Sequence, residues 1–258
     1  IMVLMVQKDD LDGLFELAEL LNAIDTELNN PLFSLRTNYF EAMLMAPKNM
    51  DYSVSKLDNI IKEMENFPNL DKQIILDAYE GYLRILGTNM KYLDKALDVI
   101  KRGVSLTVND EKENYYYYHE YRYRLYVYLE DWNKVKYHSK KIIEDYENDK
   151  TDWHIDIMAY YEAMLMLGIS HNKLEEMDDA YEIFMKVYEE NEFSTLNVNI
   201  AVGALIQLVA LATKEKNDKL LELSIDQLSL FADKMYTNPT VLSREINDRI
   251  LLYFELSA

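Results

Sequence analysis

The sequence predicts an all-α protein built as a right-handed superhelical array of paired antiparallel helices, and three observations predict it. In MLMLGISHNKLEEMDDAYEIFMKVYEE, Leu167 and Gly168 are followed by Ala180, Phe184 and Val187. Small and apolar residues thus fall where two antiparallel helices approach closely. Equivalent anchors open other second helices at Leu57, Ala96, Val135 and Leu221, with intervals of 39, 39, 45 and 41 residues once Ala180 is included. Finally, 49% of the 258 residues are hydrophobic while Gly numbers six and Pro four, a composition that starves turns and strand edges and favours long helices.

The pairs are tetratricopeptide-like but degenerate. A standard repeat of this kind takes about 34 residues, so these helices or their connections run long. Arg84 and Tyr123 stand where the Ala180 unit has Gly168. Along the chain, helices are expected at 10–28, 31–46, 52–66, 72–87, 91–105, 111–130, 132–148, 153–170, 173–190, 195–215, 218–235 and 239–256. Leu14, Leu17, Leu20 and Leu21 give the first a buried stripe, as Ile183, Phe184, Val187 and Tyr188 do for a later one. Turn or cap signals at Asn30-Pro31, Phe67-Pro68, Gly87-Thr88, Asn109-Asp110 and Asn238-Pro239 separate the helices. No Gly- or Ser-rich linker divides the chain, so one domain over 1–258 is expected.

Composition also excludes several functions. Without Cys there is no disulfide, thiolate metal site or cysteine catalysis, in keeping with a reducing cytoplasm. A formal charge of −19 opposes DNA binding by this chain, because that depends on neutralising phosphates with Lys and Arg. No apolar run reaches the roughly 18 residues of a membrane span. The opening IMVLMVQ is too short and lacks the basic flank of a signal peptide; it reads as the end of a preceding linker or helix. No G-x-x-x-x-G-K-[ST] or G-x-G-x-x-G is present, and the H-E-Y-R-Y at His119 lacks the second His of a zinc helix. His119, His138, His154 and His171 are scattered and read as surface or packing residues. Glu175, Glu176, Asp178 and Asp179 lack the Gly turn of a calcium loop. They are expected to cap and solvate a helix start. No enzyme activity, cofactor or metal is expected, and the predicted activity is binding.

Eight of the fourteen residues from Tyr115 to Tyr128 are Tyr. One helix cannot hide Tyr on every side unless it is surrounded, so some rings line packing surfaces and others a groove or solvent. Counting back from Val135 puts Tyr117, Tyr121, Arg124 and Tyr128 on the inward-curving side. The same count on other first helices proposes Tyr39, Met43, Tyr82, Leu165, Ile169 and Gln207. Asn199 joins Gln207 as an amide able to pair with the main chain of an extended peptide. Such a lining suits a short apolar peptide or a partner-protein segment.

At the other end, LSREINDRILLYFELS concentrates Ile250, Leu252, Tyr253 and Phe254. Terminal solenoid units are usually polar outside, so this segment is expected to make a homodimer contact, the alternative being a cap folded back within the monomer. Helix pairs spaced near 40 residues, rich in Tyr, Ile, Lys and Asn and closing with that segment, resemble the C-terminal domain of the Rgg/MutR-type (RNPP) peptide-pheromone transcription regulators. The resemblance implies a cytoplasmic quorum-sensing receptor. It would bind an imported peptide on its concave face, dimerise through C-terminal helices, and signal to an N-terminal helix-turn-helix that this sequence does not contain. The other reading is an interaction scaffold with no transcriptional output.

Overall fold

In a computed structural model the protein is described at residues 31–46, 48–87, 89–112, 115–148, 157–191 and 198–237, together with Glu16, Glu19, Leu20 and Ala23. Among these residues there are ten α-helices and no strand: α1 Pro31–Met45, α2 Met50–Glu65, α3 Lys72–Leu86, α4 Leu93–Leu106, α5 Tyr115–Tyr128, α6 Trp132–Glu147, α7 Ile157–Lys173, α8 Met177–Asn191, α9 Val198–Glu215 and α10 Asp218–Thr237. A 3₁₀ turn, Met90–Tyr92, precedes α4. Backbone contacts divide the chain into two compact units, Ile1–Leu106 and Thr107–Ala258. The division falls in TVND, with neither Gly nor Pro to mark it. No described helix is long and apolar enough to cross a membrane.

Within the first unit, side-chain chemistry sets the ends of the helices. Asn49 accepts a hydrogen bond from the Tyr52 amide and Asp71 from the Gln73 amide, each supplying a partner to a first-turn N–H. Val54, Leu57, Ile61 and Met64 recur at helical spacing and are buried. Gly87 closes α3, as its sequence position suggested. First helices also meet each other here. The Tyr39 hydroxyl of α1 lies where a Cβ on Gly81 of α3 would sit, and it donates to the Ala78 carbonyl at 2.9 Å.

The second unit repeats one turn three times. Glu130, Glu175 and Lys216 take φ of 54°, 63° and 56° between first and second helices. After each, the next amide donates five residues back: Asp131 to Tyr126, Glu176 to His171 and Asn217 to Ala212, at 2.9–3.0 Å. The left-handed residue itself donates three residues back, to Val127, Asn172 and Thr213. This is the Schellman ending of a helix, which glycine usually supplies. Asp131 and Asn217 then cap the following helix through Lys134 and Leu220 amides. Because Glu175 makes the turn, α7 continues to Lys173 and α8 starts only at Met177, later than the expected boundary between 170 and 173.

Close packing confirms the register around Ala180. A Cβ on Gly168 would come within 2.8 Å and 3.0 Å of Phe184 Cδ1 and Cζ, and nearer still to Cε1. Ala180, Phe184 and Val187 have no exposed surface. Their counterparts 45 residues earlier are Val135, Ser139 and Ile142, which are also fully buried. Within each unit every helix packs on the next in sequence, and in the second unit α7 also touches α9 directly. That is the pattern of a helical repeat array.

Candidate functional site

The face shared by the first helices of the second unit gathers several of the predicted residues. From α5, Arg124 reaches α7: its Nη2 is 2.6 Å from Glu120 Oε1 and 3.4 Å from Glu162 Oε2, and its Nε donates to Glu120 at 3.0 Å. On α7 the Leu165 side chain lies over α9, with its Cδ1 3.3 Å from where a Cβ on Gly203 would be. Contacts from Arg124 through Glu162 and Leu165 to Gly203 therefore tie three first helices side by side. Tyr128, Leu165, Ile169, Ile206 and Gln207 are half-buried along them. Each keeps part of its surface in solvent, and Leu165, Ile169 and Ile206 pack against the cluster of Ala201, Leu205 and Phe231.

Other predicted residues serve the interior. Tyr82 and Tyr121 have no exposed surface and Tyr39 and Tyr117 very little; the Tyr82 hydroxyl donates to the Val54 carbonyl at 3.1 Å. Burial raises the pKa of Tyr39 and Tyr82 well above the usual phenol range. Their rings fill space between helices and present no open surface, so among the candidates on α5 only Arg124 and Tyr128 keep solvent exposure. Met43 is half-buried beside Gly81 in the first unit. The side chain of Asn199 and the segment holding Ile250, Leu252, Tyr253 and Phe254 lie outside the described residues.

Two carboxylates, those of Glu120 and Glu162, already hold Arg124. Glu120 is buried, a position that a carboxylate occupies only with charge-assisted partners. The Glu120–Arg124 spacing of four residues was a readable signal for this pair. Nothing local in the sequence pointed to Glu162.

Two histidine arrangements were also not legible. His119 and His138 place their Nδ1 atoms 2.8 Å apart in the interior, among the rings of Tyr115, Tyr118, Tyr126 and Tyr137. Burial, reinforced by nearby positive charge, holds them at about 3 and about 4. Both are therefore neutral at pH 7, one donating to the other. At the α7–α8 corner, buried His171 meets Glu176 and Asp179. His154 lies outside the described residues.

No protein-family model and no curated protein matches the chain. Its fold is similar to that in the crystal structure of BtubC (BKLC) from P. vanneervenii, with a TM-score of 0.60 and 10% identity over 89% of this chain and 92% of that one. At that identity the likeness concerns the fold.

Proposed function

We propose that this protein binds a short, predominantly apolar peptide along the α5–α7–α9 face, as the ligand-sensing part of a cytoplasmic bacterial transcription regulator. The observation that carries the reading is that Tyr128, Leu165, Ile169, Ile206 and Gln207, on three neighbouring first helices, are all half-buried, with Leu165, Ile169 and Ile206 packed on one core cluster. Apolar side chains supply affinity, and the Gln207 amide can donate to and accept from a peptide backbone. The resemblance to peptide-pheromone receptors adds the regulatory role. In it, peptide binding would bias a two-state geometry felt by a DNA-reading head.

The test uses the intact protein, immobilised and exposed to culture medium of the producing cells, with captured peptides identified by mass spectrometry. Each captured peptide is then measured by fluorescence anisotropy against wild type, Tyr128→Ala and Gln207→Ala. The proposal expects one short apolar peptide with weakened binding to both variants. Capture of no peptide, or unchanged affinity in both variants, rejects it.

A further inference from the structure

We propose that the α7–α8 corner is a binding site for a divalent first-row transition-metal ion, held by His171 Nδ1 and the carboxylates of Glu176 and Asp179. These three donors lie within 4.8 Å of one another. One imidazole and two carboxylates is a donor set that such ions accept. The Schellman turn at Glu175 creates the convergence: it ends α7 just after His171 and starts α8 so that Glu176 and Asp179 lie beside the imidazole.

The imidazole is the observation that separates this corner from an ordinary acidic helix start. Its side chain is 6% exposed, with Nδ1 2.6 Å from Glu176 Oε2 and 3.4 Å from Asp179 Oδ2. Neither contact has the in-line N–H···O geometry of a hydrogen bond, which leaves a buried polar nitrogen aimed at two carboxylates with none made. The carboxylates also draw a positive charge to the corner. Lys136 of α6 supplies one, its Nζ 2.5 Å from Glu176 Oε2. The corner thus already selects a cation.

A metal ion would satisfy more of the donors than an ammonium can. Ligand distances of about 2.0–2.2 Å require donors closer together than their widest present separation. The Asp179 side chain is 63% exposed and can rotate inward. On binding, the Lys136 ammonium is displaced to solvent and two carboxylate charges offset the dication.

The experiment titrates EDTA-treated intact protein with Zn²⁺ by calorimetry and with Co²⁺ by visible absorption. One ion per chain is expected, with the intense visible bands of four-coordinate Co²⁺. His171→Phe and Asp179→Asn should each weaken the Kd by at least about tenfold, and Lys136→Met, which removes the competing ammonium, should tighten it. Asp179→Asn changes an exposed residue and keeps the test valid if His171→Phe fails to fold. Absence of saturable binding, or binding that Asp179→Asn leaves unchanged, overturns the proposal.

Discussion

Gly168→Ala tests the packing register most directly, because two effects of opposite sign meet at one methyl group. In a helix interior Ala is favoured over Gly by about 1 kcal/mol, so on propensity alone the substitution stabilises α7. The added Cβ, however, would press on three atoms of the Phe184 ring. Phe184 is fully buried, in a cluster with Ala180, Ala201, Leu205 and Phe231, and has no space into which to retreat. Overpacking a filled core costs about 1–3 kcal/mol, and three ring atoms inside ordinary contact distance place this case at the upper end. The net expectation is a destabilisation of about 2 kcal/mol.

Urea denaturation followed by far-ultraviolet circular dichroism measures it, in wild type and in a Phe184→Leu background. Without the ring the clash disappears, and Gly168→Ala should stabilise by up to about 1 kcal/mol. The two backgrounds should therefore differ by about 3 kcal/mol, at the top of the range for contacting residues. A Gly168→Ala protein more stable than wild type in both backgrounds would refute the close approach of α7 and α8.

Three other outcomes follow from particular contacts. Glu175→Gly should stabilise by about 1 kcal/mol by removing the cost of a left-handed non-glycine residue; a lower urea midpoint would contradict the turn. His119 and His138 have folded pKa values held below the ordinary imidazole value, so the unfolded chain takes up protons first as pH falls. Their neutral burial costs nothing above about pH 6.5, but by pH 5 each should have removed about 2 kcal/mol of stability. Burial of His171 acts in the same direction. Thermal melts across this range should lose most of their slope in a His119→Leu, His138→Leu variant, and an unchanged slope would exclude the buried pair as its source. Arg124→Met should destabilise by about 3 kcal/mol by leaving Glu120 with less compensation, and adding Glu120→Gln should recover part of the loss in the same urea assay.

Helical spacing made the pairs legible because it depends only on which face is apolar. The run from Leu167 to Val187 located both the Gly168–Phe184 approach and the pair that contains it. Positions fixed by backbone geometry or by distant partners were harder to read. Left-handed turns at Glu130, Glu175 and Lys216 lack the glycine that normally announces them, so the end of α7 was placed too early. The division at Thr107 carries no compositional mark. His119 and His138 are 19 residues apart and meet only when α5 lies against α6. At the candidate face, Arg124 and the Glu120 four residues before it are legible in the sequence, whereas Glu162 becomes visible only once α5 and α7 are side by side.

Equivalent positions show how the array tolerates degenerate repeats. In α7 and α8 the close approach joins a small first-helix residue, Gly168, to a large second-helix one, Phe184. At the counterpart positions 45 residues earlier the sizes are exchanged, with Tyr123 on α5 and Ser139 on α6, and both are buried. What packing density constrains is the combined volume at the interface, so either helix can contribute the bulk. The turn behaves similarly: Glu130, Glu175 and Lys216 take one backbone conformation with three unrelated neighbours. Each interface is consequently solved by its own residues within a common geometry. A fold maintained in this way can be shared at 10% identity, and the residues on its exposed faces can change independently of the helices that carry them.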